Sequence, residues 1–122
     1  MGDDGYVFQT AATPAELSTV RIFARSVARS LALEEGPAQD LELLTSELCA
    51  EMIEAGASAI TLRIEPQPEL LRLTLEAKDV TVDPTVASER RDLLGSLAPG
   101  LRWHASGAEC VLPRRAVAEH ES

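Results

Sequence analysis

Aromatic side chains and positive charge are both scarce in this chain of 122 residues. Aromatic residues make up only 3 % of the sequence against 45 % hydrophobic residues in all, so a core has to be built from Leu, Val, Ile and Ala. Lys and Arg number 11 against 20 Asp and Glu, which gives a formal net charge of −9. Because contacts from Lys and Arg to phosphates dominate affinity for nucleic acids, we expect no direct nucleic-acid binding, and a basic partner suits the chain better.

The chain also lacks informative cysteine spacing and long apolar runs. Cys49 and Cys110 stand far apart without a CxxC pair or a neighbouring His, so neither a zinc site nor a redox dithiol is indicated. No stretch approaches the roughly 18–20 apolar residues of a membrane span, and the first residues do not have the pattern of a secretion signal. We therefore expect no membrane association, a cytoplasmic location, and a single domain over residues 1–113 with a polar tail at 114–122.

The most strongly patterned stretch is residues 37–56, PAQDLELLTSELCAEMIEAG. Its apolar residues recur at helical spacing, and a proline and a glycine mark its two ends. Another face carries Glu47, Glu51 and Glu54, three like charges that repel one another at this spacing. The plain interpretation is a solvated acidic face. Metal binding by these glutamates is an alternative, but the sequence shows no His or fourth ligand nearby.

Alternation and capping signals divide the rest of the chain. A strand is predicted at residues 6–11, and the helix after it opens with a capping box at Thr13 to Glu16. Hairpins are predicted within 59–76 and 101–112, and between them lies a third helix that Asp83-Pro84 opens and that ends at Leu97. The order strand, helix, helix, strand, strand, helix, strand, strand predicts an α+β fold. We expect a two-layer sandwich in which three helices cover one face of a mixed, mostly antiparallel sheet.

The first predicted helix carries three arginines at steps of four residues, Arg21, Arg25 and Arg29. One interpretation is solubility, since the aliphatic stems of arginine can cover the edge of a core. The other is a docking face for a protein partner, because three aligned arginines are unusual in an otherwise acidic chain. The pattern leaves both interpretations open.

The element order, and the way in which LTSELCAEMIEAG leads into an alternating pair of strands, resemble the GHKL (Bergerat-fold) ATPase domain. The resemblance is to the small stand-alone members that act as anti-sigma factors and serine kinases in bacterial partner switching, and it covers about Phe8 to Pro113. In that family a helix motif S-E-x-x-x-N supplies a general base and an Mg²⁺-coordinating asparagine. Ser46 and Glu47 match the motif, whereas Glu51 stands at the place of the asparagine.

The other nucleotide motifs of the family are altered as well. Where the family has D-x-G-x-G, Lys78 takes the place of the aspartate and Val80 and Val82 take those of the glycines; a shift by one residue restores Asp79 as the acceptor but still provides no glycine. Lysine cannot accept a hydrogen bond from adenine, and branched side chains would fill the space of the base. Between Val82 and the predicted third helix there is almost no room for the glycine-rich lid.

The resemblance thus implies a degenerate site. Its nucleotide-binding positions are Glu47, Glu51, Lys78, Asp79, Val80 and Val82, and we expect no nucleotide binding, no catalytic residue, no metal ligand and no cofactor. The expected function is a non-catalytic, anti-sigma-factor-like regulatory module that sequesters a sigma factor or pairs with a STAS-domain antagonist. A family arginine that helps to hold the partner is matched by Arg21, and Arg25 and Arg29 extend this partner-binding face.

Two further expectations follow from the same resemblance. Relatives of this kind are often dimers, so a homodimer is one option for this chain. The alternative function is an ATP- and Mg²⁺-dependent serine kinase and anti-sigma factor, in which Glu47 acts as the base and Glu51 as the metal ligand.

Overall fold

The structure is a computed structural model and describes residues 5–115. Its strands are β1 Tyr6–Ala11, β2 Ala59–Pro66, β3 Leu70–Lys78, β4 Arg102–His104 and β5 Gly107–Pro113, and its helices are α1 Leu17–Ser30, α2 Glu35–Glu54 and α3 Glu89–Leu97. The order of strands and helices is the predicted one. The prediction of an α+β fold in two layers is confirmed.

The five strands form one sheet in the order β1-β2-β3-β5-β4. Every neighbouring pair is antiparallel, so the sheet that was predicted as mixed and mostly antiparallel is antiparallel throughout the described strands. The register pairs Leu62 of β2 with Phe8 on one side and Leu75 on the other. It aligns the apolar residues of the central strands on one face, as the alternation predicted.

That apolar face meets the helices. The buried strand residues are Ile60, Leu62, Ile64, Leu71, Leu73, Leu75, Ala77, Ala108, Cys110 and Leu112, and the buried helix residues include Val20, Ala24, Val27, Leu41, Leu44, Leu48 and Met52. Burying one leucine side chain stabilises a fold by about 1.5–3 kcal/mol, so this layer is the main source of stability. The opposite face of the sheet is mostly polar and also carries the exposed Val7 and Val111.

A tight turn leads into α1 in place of the predicted capping box. The side chain of Thr13 makes no capping hydrogen bond. Instead the backbone N–H of Glu16 donates to the carbonyl oxygen of Thr13 at 2.9 Å, and residues Pro14–Glu16 form one turn of 3₁₀-helix. The threonine therefore acts through its backbone, and the α-helix begins only at Leu17.

Helix α2 starts slightly earlier than the sequence predicts and stops where predicted. It begins at Glu35, so Pro37 lies inside the first turn, where a missing N–H still has no helical acceptor. The end is fixed by Gly56, whose φ of +97° is the left-handed conformation that glycine adopts without strain.

The start of α3 is a correction. The predicted cap Asp83 instead closes a local turn, because its carboxylate accepts from the backbone N–H of Thr85 at 2.9 Å and from the Thr85 hydroxyl at 2.7 Å. The helix begins at Glu89, and its cap is Ser88, whose hydroxyl accepts from the N–H of Arg91 at 3.1 Å. The connection between β3 and α3 thus spans residues 79–88 and is longer than predicted.

The predicted polar tail begins with an anchored residue. The backbone N–H of Arg114 donates to the carbonyl oxygen of Glu69 at 3.1 Å, and its guanidinium donates to that of Gln67 at 2.8 Å. Both acceptors belong to the turn between β2 and β3. The remainder of the predicted tail, from residue 116 on, lies outside the described residues.

Candidate functional site

The acidic face of α2 is covered by arginines of α3. Arg90 reaches all three glutamates of that face. Its Nε lies 3.0 Å from Oε1 of Glu47, its Nη1 lies 3.4 Å from Oε1 of Glu51, and its Nη2 lies 2.8 Å from Oε2 of Glu54. The i, i+4, i+7 spacing that makes these glutamates repel one another in an isolated helix lets one guanidinium bind all of them.

The next residue of α3, Arg91, is fixed on several sides. Its Nε donates to Oε2 of Glu51 at 2.8 Å, and its Nη1 donates to the carbonyl oxygens of Asp83 and Val86 at 2.7 and 3.2 Å. Its guanidinium carbon stands 4.4 Å from the centre of the Trp103 ring, which is a cation–π contact. We call Arg90, Arg91 and the glutamates Glu47, Glu51 and Glu54 the arginine clamp.

The inner part of the clamp is shielded from water and the outer part is not. The Arg91 and Glu51 side chains are only 10 % and 13 % exposed, whereas that of Glu54 is 67 % exposed. The hydrogen bond and the charge of Arg90 lower the pKa of Glu54, and the hydrogen bond to Glu54 in turn raises the pKa of Arg90. Glu47 accepts a hydrogen bond from Arg90 through Oε1, and Glu51 accepts hydrogen bonds from Arg90 and Arg91 through its two oxygens.

Of the six degenerate nucleotide positions predicted from sequence, only Glu47 and Glu51 belong to the clamp. Lys78 is exposed at the end of β3, on the face of the sheet opposite the helices. Asp79 follows it with a φ of +62° and accepts a hydrogen bond from the hydroxyl of Ser58. The hydrogen bond of Asp79 does not involve Glu47 or Glu51.

The two valines of the altered glycine motif are part of the core. Val82 is 4 % exposed, and its N–H donates to the carbonyl oxygen of Ala105 at 2.8 Å. Val80 is half-buried and packs against the same core. Both valines contribute side chains to the core that a glycine would lack.

The three arginines of α1 differ in their surroundings. Arg25 makes a two-pronged ion pair with Glu42 of α2, at 3.0 and 2.8 Å, while its side chain stays 58 % exposed. Arg25 and Arg29 line a groove of about 450 Å³ between α1 and the first half of α2. Arg21 lines a neighbouring hollow with Leu43. The stripe thus follows the exposed border between the two helices.

An exposed apolar residue accompanies the stripe. Ile22 is 58 % exposed, the highest value among the large hydrophobic residues of the described chain, and Leu43 of α2 is 38 % exposed. Sequence reasoning treated only the arginines as a surface. The helical position of Ile22, off the apolar stripe of α1, was the available signal for this second feature.

Sequence reasoning missed the clamp arginines altogether. Arg90 and Arg91 occur in the segment SERRDLLG, in which two adjacent arginines carry no signature of their own. The three glutamates were recognised, but nothing in the sequence places α3 against α2. Only the folded arrangement pairs these charges.

Three other features bear on possible sites in the described part of the chain: metal-binding groups, the cysteines and the length of apolar helices. Residues 5–115 contain no group of three or more His, Cys, Asp or Glu arranged to hold a metal ion. Both cysteines are free and buried, and burial raises the pKa of the Cys49 thiol and that of the Cys110 thiol to about 12, which keeps them protonated at neutral pH. Within the same residues, no helix has both the length and the apolar composition needed to cross a bilayer.

Comparison with known proteins adds no assignment. No protein-family model matches the chain, and no curated protein matches it.

Proposed function

We propose that this chain is a non-catalytic protein-binding module that acts like an anti-sigma factor of the GHKL type and has lost nucleotide binding. Its partner would be a sigma factor, a STAS-domain antagonist, or each in turn. The observation that carries the proposal is the arginine clamp, because guanidinium groups occupy the two carboxylates that the resemblance assigns to the base and the metal ligand.

Charge supports the loss of nucleotide binding. In the alternative kinase, Glu47 must be free to accept a proton and Glu51 must face Mg²⁺ and the phosphates. Here Glu51 is bound from both sides, by Arg90 at 3.4 Å and by Arg91 at 2.8 Å. Opening the clamp would leave a nearly buried carboxylate without its partner, which costs several kcal/mol by the usual magnitude for such pairs.

The connection between β3 and α3 supports the same conclusion. Although residues 79–88 are more numerous than the sequence predicted, they contain no glycine. They are held by the Asp83–Thr85 turn, by Arg91 and by the backbone bond of Val82. A lid that closes over phosphate needs backbone freedom and inward N–H groups, whereas here the N–H groups of Val82, Thr85 and Val86 donate to acceptors within the protein.

The border between α1 and α2 supports a protein partner. Binding hot spots combine an apolar anchor with arginines, and Ile22 stands among Arg21, Arg25 and Arg29 on the outward side of α1. The acidic charge of the whole chain would attract the basic DNA-binding surfaces of a sigma factor over longer distances. The stripe itself would hold acidic side chains at the contact.

Titration calorimetry with ATP and with ADP in the presence of Mg²⁺ tests the nucleotide half of the proposal. The wild-type protein should give no binding heat, while circular dichroism shows that it is folded. The double variant Arg90→Ala/Arg91→Ala, which lacks the clamp, is titrated with the same nucleotides for comparison with the wild type. Micromolar binding by the wild-type protein that Glu51→Ala abolishes would overturn the proposal and favour the kinase.

A capture experiment with purified sigma factors and STAS-domain proteins tests the partner half. Ile22→Asp should abolish capture, since it puts a charge at the apolar centre of the proposed face. Val111→Asp is the matched control, because Val111 is also an exposed aliphatic residue but lies on the open face of the sheet. Equal loss in both variants, or none in either, would remove α1 from the proposal.

A further inference from the structure

A hollow of about 490 Å³ lies at the end of the molecule where α1 passes into α2. Its walls are residues 31–34, Pro68 of the turn between β2 and β3, and the two arginines that follow β5, Arg114 and Arg115. Sites for small molecules usually have volumes of roughly 300–1,000 Å³, so this hollow is large enough for one. The candidate site residues predicted from the sequence all lie outside it.

Backbone hydrogen bonds hold the wall that connects α1 to α2. The N–H of Ala32 donates to the carbonyl oxygen of Arg29 at 3.1 Å, and the N–H of Leu33 donates to that of Ala28 at 3.0 Å. Ala32 has a φ of +53°, the left-handed conformation that glycine usually adopts at the end of a helix. An alanine here keeps a methyl group in the wall although the conformation costs it free energy. This wall is therefore fixed without a ligand.

Arg114 is positioned at the hollow by the turn between β2 and β3. Its backbone N–H donates to the carbonyl oxygen of Glu69 at 3.1 Å, and its Nη1 donates to that of Gln67 at 2.8 Å. Its Nε and Nη2 make no hydrogen bond to residues 5–115. Because the guanidinium group is held through one nitrogen and open at the others, it can bind a ligand without losing much further side-chain freedom.

The balance of charge in the hollow is the reverse of that in the chain. Acidic residues outnumber basic ones by 20 to 11 in the whole sequence, whereas the hollow is lined by Arg114 and Arg115 and by one carboxylate, that of Glu34. Arg115 is exposed, and its guanidinium makes no hydrogen bond or ion pair with residues 5–115. Guanidinium groups bind the paired oxygens of phosphates and carboxylates with two hydrogen bonds at once.

We propose that this hollow binds a small organic oxyanion, either a phosphate ester or a carboxylate. The charged end of the ligand pairs with Arg114 and Arg115, and its apolar part lies against Leu31 and Leu33, which are half-buried in the wall. The formal charge of −9 on the chain repels anions at a distance, so the affinity comes from these close contacts. This proposal does not depend on the proposed function.

A titration followed by nuclear magnetic resonance tests the site with three defined probes. Phenyl phosphate and benzoate carry the two kinds of oxyanion on an apolar ring, and benzyl alcohol is an uncharged ring of similar size. At least one of the two anions should shift the backbone amide signals of Ala32, Leu33 and Arg115 in a saturable way, and benzyl alcohol should bind about tenfold more weakly or less. Tighter binding of phenyl phosphate assigns a phosphate ester, and tighter binding of benzoate assigns a carboxylate.

A pair of arginine variants ties the binding to the hollow. Arg115→Gln should weaken binding of the better anion about tenfold, because it removes a charge-assisted hydrogen bond. Arg63→Gln is the matched control, since it removes the same charge from an exposed position on β2 outside the hollow. Circular dichroism should show the same fold for both variants. Shifts that do not saturate with either anion would overturn the proposal, and so would equal binding of benzyl alcohol or equal weakening in the two variants.

Discussion

Helix α2 packs against the sheet with one face and against α3 with another, and the two faces differ in chemistry. The first buries Leu41, Leu44, Leu48 and Met52, each no more than 1 % exposed. The second presents glutamates to Arg90 and Arg91, and Leu94 is the only buried side chain within α3. Burial of apolar surface is nearly independent of pH, whereas ion pairs respond to pH and salt. The two packings should therefore respond separately to solution conditions.

The same difference predicts which segments of the protein open at the lowest free energy. A segment with few buried apolar contacts opens locally at a lower free energy than the core does. We expect α3 and residues 79–88 to open before the sheet and its two larger helices unfold. Partial opening would expose the acidic face of α2 and leave the border between α1 and α2 intact.

The largest effect is expected in the apolar packing. Leu73 is 1 % exposed in the central strand β3, and Leu73→Ala should lower the free energy of unfolding by about 3–5 kcal/mol, since it removes buried methyl groups and leaves a cavity. Urea unfolding followed by circular dichroism measures this loss. The control is Thr74→Ala, next in the chain and on the open face of the sheet. A loss in Leu73→Ala no greater than in the control would contradict the apolar origin of the stability.

A smaller effect is expected in the clamp. Arg91→Ala leaves the nearly buried Glu51 without its closest partner and removes the contact with Trp103. Because part of the network is exposed to water, we expect the free energy of unfolding to fall by only about 2 kcal/mol. The loss should shrink at high salt. Arg91→Lys, which keeps the charge but not the planar fork, should recover only part of it. If hydrogen exchange of the backbone amides in Arg91→Ala speeds up equally in the core and in α3, the two packings are not separate.

The apolar packing could be predicted from the sequence because apolar residues on one face of a strand or helix recur at a regular spacing. Leu71, Leu73 and Leu75 alternate with polar residues, and this alternation alone assigns them to one face of a strand. The leucines of α2 follow the helical period in the same way. Each pattern lies within one element, so no knowledge of the tertiary arrangement is needed to recognise it.

The clamp could not be predicted in this way, because it joins elements that are far apart in the chain. Glu51 and Arg91 are separated by 40 residues, and their pairing depends on where α3 lies. The start of α3 was wrong for a related reason. Asp83 and Ser88 are both good caps, and only the structure shows that the Asp83 carboxylate is used within its own turn.

Low pH should weaken the ionic packing of α3 before it weakens the apolar packing of α2 on the sheet. Arg90 lowers the pKa of Glu54 below its ordinary value of 4.5, so the stability from this pair is present above that value and is lost as the pH falls through the lower pKa of the folded state. Below about pH 4 amides of α3 should lose protection from hydrogen exchange before those of β2 and β3. In Glu54→Gln this acid-induced loss should be smaller. Simultaneous loss in α3 and in the sheet would count against a separately held helix.

The smallest effect is expected where charge meets the apolar packing, at the ion pair of Arg25 and Glu42. The hydrogen bond from Arg25 lowers the pKa of Glu42, yet the Arg25 side chain is 58 % exposed, so water and salt screen the pair. Arg25→Ala should leave the midpoint of thermal unfolding unchanged at physiological salt, because α1 is held on α2 and the sheet by Val20, Ala24 and Val27. Glu42→Gln is the matched variant on the other helix. A clear drop in either midpoint would mean that charge also holds α1 in place. The ionic packing of α3 would then no longer set this helix apart from α1.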